Sequence, residues 1–187
     1  PTGSCPDTAS IRALAAANPE AFFLLDEAFA DFVPGLGTGF DPSLDNLGVV
    51  RSMTKFYAIP GLRLGFGLFP FRTAPLIRDQ VPPWSVNVLA QAVGLDALGQ
   101  LDYADRTRAL VSVERDRLQR SLEHVPGLRV FPGRANYLFG KVESPSVTAR
   151  DLAEGMLKGH GIPIRVCDNY HGLDERYFRV AVKTGQE

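Results

Sequence analysis

Residues 51–67 read RSMTKFYAIPGLRLGFG and hold a primary amine, Lys55, between a hydroxyl, Ser52, and a guanidinium, Arg63. A hydroxyl donor and a planar bidentate fork are the groups that hold a phosphate. Lys55 is then an amine beside whatever carries that phosphate. A lysine that condenses with the aldehyde of a bound cofactor needs this pair of features: an anchor for the cofactor and an amine within its reach.

The elements around this stretch alternate helix and strand. Asp7 is a helix cap for Thr8 to about Ala17, with Ile11, Leu14 and Ala15 on one face, and Pro19 ends that helix. Residues 21–25 (AFFLL) form an unbroken apolar run between Pro19 and Asp26, which predicts a buried parallel strand. Asp26 stands at its carboxyl end, where α/β sheets bind ligands. Leu47–Met53 predicts the next strand, and Leu62–Phe69 a neighbouring, antiparallel one that begins beside Arg63. Residues 82–87 (PPWSVN) enter a helix capped by Ser85, with Leu89, Ala90, Val93 and Leu98 facing inward. A longer helix from about Ala104 to His124 turns Leu110, Val113, Leu118 and Leu122 to the core and its arginines and glutamates to solvent. A domain boundary near Asp105 separates residues 1–104 from a smaller α+β domain, 105–187. That domain has strands at Leu128–Phe131, Asn136–Val142, Pro163–Val166 and Tyr177–Lys183, and a helix from Val147 to Lys158 capped by Ser146. Arg165 and Arg179 each interrupt an apolar, strand-like run. An unpaired guanidinium is costly to bury, so each is expected to face an anion or a carboxylate unless it points to solvent.

Composition excludes several classes. With 187 residues, 45% of them hydrophobic, and a formal charge of −1, the chain can bury a sizeable core but offers no basic face for nucleic acid. No apolar run reaches membrane-span length. Cys5 and Cys167 match no metal spacing, and so no metal site is expected and a reducing, cytoplasmic setting is.

The pattern S-x-x-K-x7-R at Ser52, Lys55 and Arg63 resembles the lysine motif of fold-type I pyridoxal-phosphate enzymes of the class I/II aminotransferase group. The longer string SMTKFYAIPGLRLG, with DEAF at 26–29, PPWSVN at 82–87, RANYL at 134–138 and CDNYHGLD at 167–174, resembles the threonine-phosphate decarboxylases of cobalamin biosynthesis. The resemblance implies a large domain with a mainly parallel sheet, followed by a small α+β domain. It implies that Lys55 forms a Schiff base with pyridoxal 5'-phosphate. Asp26 pairs with the ring nitrogen, and Ser52 and Arg63 hold the phosphate. By the same resemblance Arg165, Arg179, Asn136 and Asn87 contact a phosphorylated amino acid, O-phospho-L-threonine, which is decarboxylated to aminopropanol phosphate. Related aminotransferases commonly carry tyrosine where this chain has Phe29. The implied assembly is a homodimer. Histidinol-phosphate aminotransferase is the alternative within the group, since the same cofactor residues serve both. The opening Pro1-Thr2-Gly3 follows a cofactor-binding asparagine in the family, so a fragment of a longer enzyme is expected. A catalytically silent piece is the remaining alternative.

Overall fold

The computed structural model describes residues 2–185. The chain divides into two compact units, Pro6–Arg108 and Pro1–Cys5 with Ala109–Glu187, and the division falls inside one long helix.

In the first unit Asp7 caps α1 (Thr8–Ala17), its carboxylate accepting from the Ser10 amide at 2.9 Å. The Asn46 side chain donates to the carbonyls of Ala15, Asn18 and Ala21, and so ties the chain after α1 to the loop before the next strand. β1 (Phe23–Asp26) pairs in parallel with β2 (Leu47–Ser52), which pairs antiparallel with β3 (Gly65–Leu68). The order is β1-β2-β3, so β2 is central and carries the buried Leu47 and Val49.

β1 departs from the sequence expectation. Its burial alternates, and Leu24 is 60% exposed. An unbroken apolar run does not distinguish a strand covered on both faces from one covered on a single face, and among the described residues β1 pairs with β2 alone. Two short helices carry no clear sequence signal. α2 (Met53–Phe56) is a single turn, and α3 (Thr73–Gln80) has Pro75 in its first turn, where a missing N–H is tolerated.

α4 (Val88–Gly99) is capped by Asn87 rather than Ser85, with Asn87 Oδ1 accepting from the Ala90 amide at 2.9 Å. Its buried stripe is Ala90, Gly94 and Ala97, while Leu89, Val93 and Leu98 are exposed. A helix that is apolar all round carries no phase to read. Close approach selects the small residues: a β-carbon on Gly94 would lie 2.5 Å from Leu64 Cδ2. α5 (Leu101–Glu123) starts earlier than expected, and Leu110 and Val113 are exposed. Two of its arginines are not on a solvated face. Arg108 lies over the Phe56 ring, and the Arg115 side chain, 15% exposed, donates to the Arg134 carbonyl. Long side chains bury their stems while their heads find carbonyls, which a charge pattern alone does not reveal.

In the second unit β4 (Leu128–Phe131), β5 (Tyr137–Val142), β6 (Arg165–Val166) and β7 (Tyr177–Ala181) form an antiparallel sheet in the order β4-β5-β7-β6. The face bearing Val142, Phe178 and Val180 packs with Ala149 and Leu152 of α6 (Ala149–His160). The α6 cap is Thr148, not Ser146, in a reciprocal box with Asp151. Gly161, in the left-handed region at φ 69°, closes the helix. Among the described residues no helix is long and apolar enough to cross a membrane.

The cap assignment is testable by urea denaturation of the intact protein. Thr148→Ala should cost about 1 kcal/mol, and Ser146→Ala less than about 0.5 kcal/mol. Bonds from the Thr148 amide and hydroxyl lower the Asp151 carboxyl below its ordinary 3.8. Because the folded value is depressed, the Thr148 contribution should be full above 3.8 and fade as pH falls through the folded value.

Candidate active site

Parallel pairing brings the ends of β1 and β2 to one edge of the sheet, and antiparallel pairing starts β3 at that same edge. Asp26 is in register with Val50, and Ser52 with Gly65. Side chains alternate along a strand, so Asp26 and Ser52 share one face, while Glu27 and Arg51 share the other. The sheet admits no side chain at Gly65, because a β-carbon there would lie 2.7 Å from the Arg51 carbonyl oxygen.

Lys55 follows on α2, with its neighbours Met53, Thr54 and Phe56 buried and its own side chain exposed. Lys55 Nζ donates to Ser52 Oγ at 3.0 Å, and Ser52 Oγ lies 2.7 Å from Thr54 Oγ1. Thr54 was not singled out by sequence; it shares the same S-x-T-K turn, which is the signal that could have found it. Lys55 Nζ also stands 5.3 Å from the centre of the Phe29 ring. The Asp26 carboxylate accepts from the Ala28 amide at 2.9 Å, which fixes its orientation. Arg63 occupies the left-handed region at φ 55°, directly after a 3-10 turn at Pro60–Leu62. Such a conformation is unfavourable for a residue with a β-carbon and is often found where a side chain must be presented. Among the described residues its guanidinium donates to the Pro60 carbonyl alone, at 3.3 Å. Asn87 is occupied at both ends of its amide, which caps α4 and donates to the Leu62 carbonyl at 3.3 Å.

Among the described residues Asp26, Lys55 and Arg63 make no ion pair. One strand position away, on the opposite face, each charged group has an ion-pair partner. Buried Glu27 accepts from Arg51 Nε at 2.8 Å, and Arg51 also reaches Asp31 at 3.1 Å. Unpaired groups of these types at one sheet edge fit a phosphorylated aldehyde with a basic ring nitrogen. The hydroxyl and guanidinium match the phosphate, the amine the aldehyde, and the carboxylate the ring nitrogen.

The second unit assembles a different set. Arg165 and Arg179 are in register on β6 and β7, so two like charges stand side by side. Such pairs are destabilising when nothing offsets them. Neither makes an ion pair among the described residues; Arg165 donates to Asn169 Oδ1 at 3.3 Å and lies over the Tyr170 ring. Arg179 stacks over the Tyr137 ring at 3.7 Å, and its Nε is buried without a hydrogen-bond partner among the described residues. Burial pushes the Tyr137 phenol and the Cys167 thiol above their ordinary values, so neither supplies a compensating negative charge near neutral pH. Two guanidiniums side by side, one with a buried N–H that lacks a partner among the described residues, have the chemistry to receive an anion. Asn136 directly precedes β5, and its carbonyl accepts from the Val182 amide at 2.9 Å. Sequence did not single out Tyr137 as the platform for Arg179, because the ring contact depends on cross-strand register.

The lysine-bearing set belongs wholly to the first unit and the arginine pair to the second.

Comparison with known proteins follows the same lines. The family model described as aminotransferase class I and II matches residues 1–187. The chain is 42% identical over its whole length to threonine-phosphate decarboxylase of Salmonella typhimurium, of which it covers 52%. Its structure is similar to histidinol-phosphate aminotransferase from Clostridium acetobutylicum, with a TM-score of 0.91, 28% identity, and coverage of all of this chain and 57% of that one. It is also similar to L-threonine-O-3-phosphate decarboxylase from Porphyromonas gingivalis, with a TM-score of 0.85, 25% identity, and coverage of 100% and 57%. The chain spans about half the length of the curated relatives it matches. Its α/β organisation, its lysine-bearing sheet edge and the match along its full length make it a member of the class I and II aminotransferase family.

Proposed function

We propose that the intact protein is a pyridoxal-phosphate-dependent decarboxylase of O-phospho-L-threonine, forming 1-amino-2-propanol O-phosphate. The observation that carries the cofactor assignment is that Asp26, Lys55 and Arg63, without ion-pair partners among the described residues, come from elements that meet at one sheet edge, with Lys55 Nζ on Ser52 Oγ. The 42% identity to a threonine-phosphate decarboxylase supports the choice of reaction.

In this reading Ser52 Oγ and the Arg63 guanidinium bind the cofactor phosphate, and Asp26 holds the proton on its ring nitrogen. When bound, the cofactor supplies an electron-accepting ring for the pair left on the substrate α-carbon. Lys55 Nζ would be the amine that holds the aldehyde, and once freed by the substrate amine it would stand as the acid–base group that returns a proton to the α-carbon after carbon dioxide is lost. Arg165 and Arg179 take the substrate's anionic group, with Asn136 beside them, and so orient the carboxylate for loss. The Arg179 Nε, buried without a partner among the described residues, supplies binding energy remote from the bond that breaks. Asn87 acts mainly by holding α4 to the turn before Arg63. A cytoplasmic homodimer completes the reading. Phe71 and Trp84, 92% and 97% exposed, support a surface that is covered by a partner.

The likeness to histidinol-phosphate aminotransferase at a TM-score of 0.91 favours a second reading, amino transfer from histidinol phosphate. The two separate in one assay of the full-length protein. The first expects carbon dioxide from phosphothreonine and no glutamate from histidinol phosphate with 2-oxoglutarate; the reverse pattern establishes the second. Lys55→Ala should remove the cofactor's visible absorbance band, and a band retained on the variant would sink the assignment of Lys55. Arg179→Gln should lower kcat/KM for phosphothreonine by about 10- to 100-fold, with cofactor affinity unchanged. A loss confined to cofactor affinity would contradict the role given to Arg179.

A further inference from the structure

Directly behind the lysine-bearing edge lies a second charged group, which has the ion-pair partners that the first lacks among the described residues. Glu27 is 6% exposed and the Arg51 side chain 17%. Arg51 uses three nitrogens on three partners: Nε on Glu27 Oε2 at 2.8 Å, NH1 on Asp31 Oδ1 at 3.1 Å, and NH2 on the Gly37 carbonyl at 2.7 Å. Glu27 in turn accepts from the Thr38 hydroxyl at 3.1 Å and from the Gly39 amide. The carbonyls of Thr38, Gly39 and Phe40 are held by Arg12 of α1. The loop at 37–40 is therefore gripped through its donors by one charged side chain and through its carbonyls by two others.

The positions of this pair in the chain matter more than its burial. Glu27 directly follows Asp26, and Arg51 directly precedes Ser52. The backbone ladder continues there, with the Glu27 amide donating to the Val50 carbonyl at 2.9 Å. The ion pair thus crosslinks β1 and β2 at the point where each delivers a site residue to the opposite face.

We propose that Glu27 and Arg51 are positioning residues that set the spacing and orientation of Asp26 relative to Ser52 and Lys55. The inference rests on the reading of that edge as a pyridoxal-phosphate site. Arginine's fork meets Glu27, Asp31 and Gly37 together, whereas a lysine ammonium at the end of a flexible stem cannot span the three. Geometry at the edge then depends on the guanidinium and not on charge alone.

The test uses the full-length protein as wild type, Glu27→Gln, Arg51→Lys and Arg51→Met, titrated with pyridoxal phosphate without substrate. Affinity is read from the visible band, and ring orientation from the circular dichroism of that band at saturation. Glu27→Gln and Arg51→Lys should weaken cofactor affinity on the order of 10-fold. Both should also change the dichroism per bound cofactor while the apoprotein keeps its far-ultraviolet spectrum. Arg51→Met should weaken binding further, and if it does not fold the two milder variants still decide. Variants that melt earlier but bind with wild-type affinity and dichroism would overturn the inference and leave the pair a stabilising contact. A wild type that does not bind pyridoxal phosphate would remove the site reading itself, and with it the inference.

Discussion

The parallel pairing of β1 with β2 is the constraint on which the first unit's chemistry depends. Parallel strands finish at the same edge, so two residues distant in sequence, Asp26 and Ser52, arrive together without any direct bond between them. The antiparallel β3 starts at the same edge, two residues after Arg63. Had β1 and β2 been antiparallel, Asp26 and Ser52 would lie at opposite ends of the sheet. The one-turn helix α2 then only has to carry Lys55 back toward Ser52, a task that needs one hydrogen bond of 3.0 Å.

Charge in this molecule is distributed by role. On one face of the sheet Glu27, Arg51 and Asp31 satisfy one another, as buried ionisable groups must. At the edge, and on the arginine-bearing face of the second sheet, ionisable groups stand without ion-pair partners among the described residues. A fold tolerates this at exposed positions, or where an anion completes the pairing. Groups with ion-pair partners and groups without them among the described residues stand a single strand position apart.

Much of this was legible in the sequence. The helix at Thr8–Ala17 with its Asp7 cap, the strand at Leu47, the antiparallel run after Arg63 and the strands of the second unit all follow from caps, apolar runs and turn residues. What was not legible shares a physical cause. The coverage of β1, the inward face of α4 and the partial burial of Arg108 and Arg115 are set by tertiary neighbours, and local pattern is silent or misleading about them. α4 is apolar on every side, so its buried stripe is chosen by how closely Ala90, Gly94 and Ala97 let other side chains approach. The caps failed for a local reason: Ser85 and Ser146 are plausible caps, but Asn87 and Thr148 are better placed, and Thr148 gains a reciprocal partner in Asp151. In the candidate site, residue types and spacing singled out Ser52, Lys55 and Arg63. The Glu27–Arg51 clamp and the Tyr137 platform needed register.

The account turns on one bond, between Lys55 and an aldehyde. The most direct measurement is borohydride reduction of the full-length protein with pyridoxal phosphate, followed by digestion and mass mapping of the labelled peptide. The account expects the phosphopyridoxyl group on Lys55, and its loss when Lys55 is replaced. A label on another lysine, or none, would contradict it.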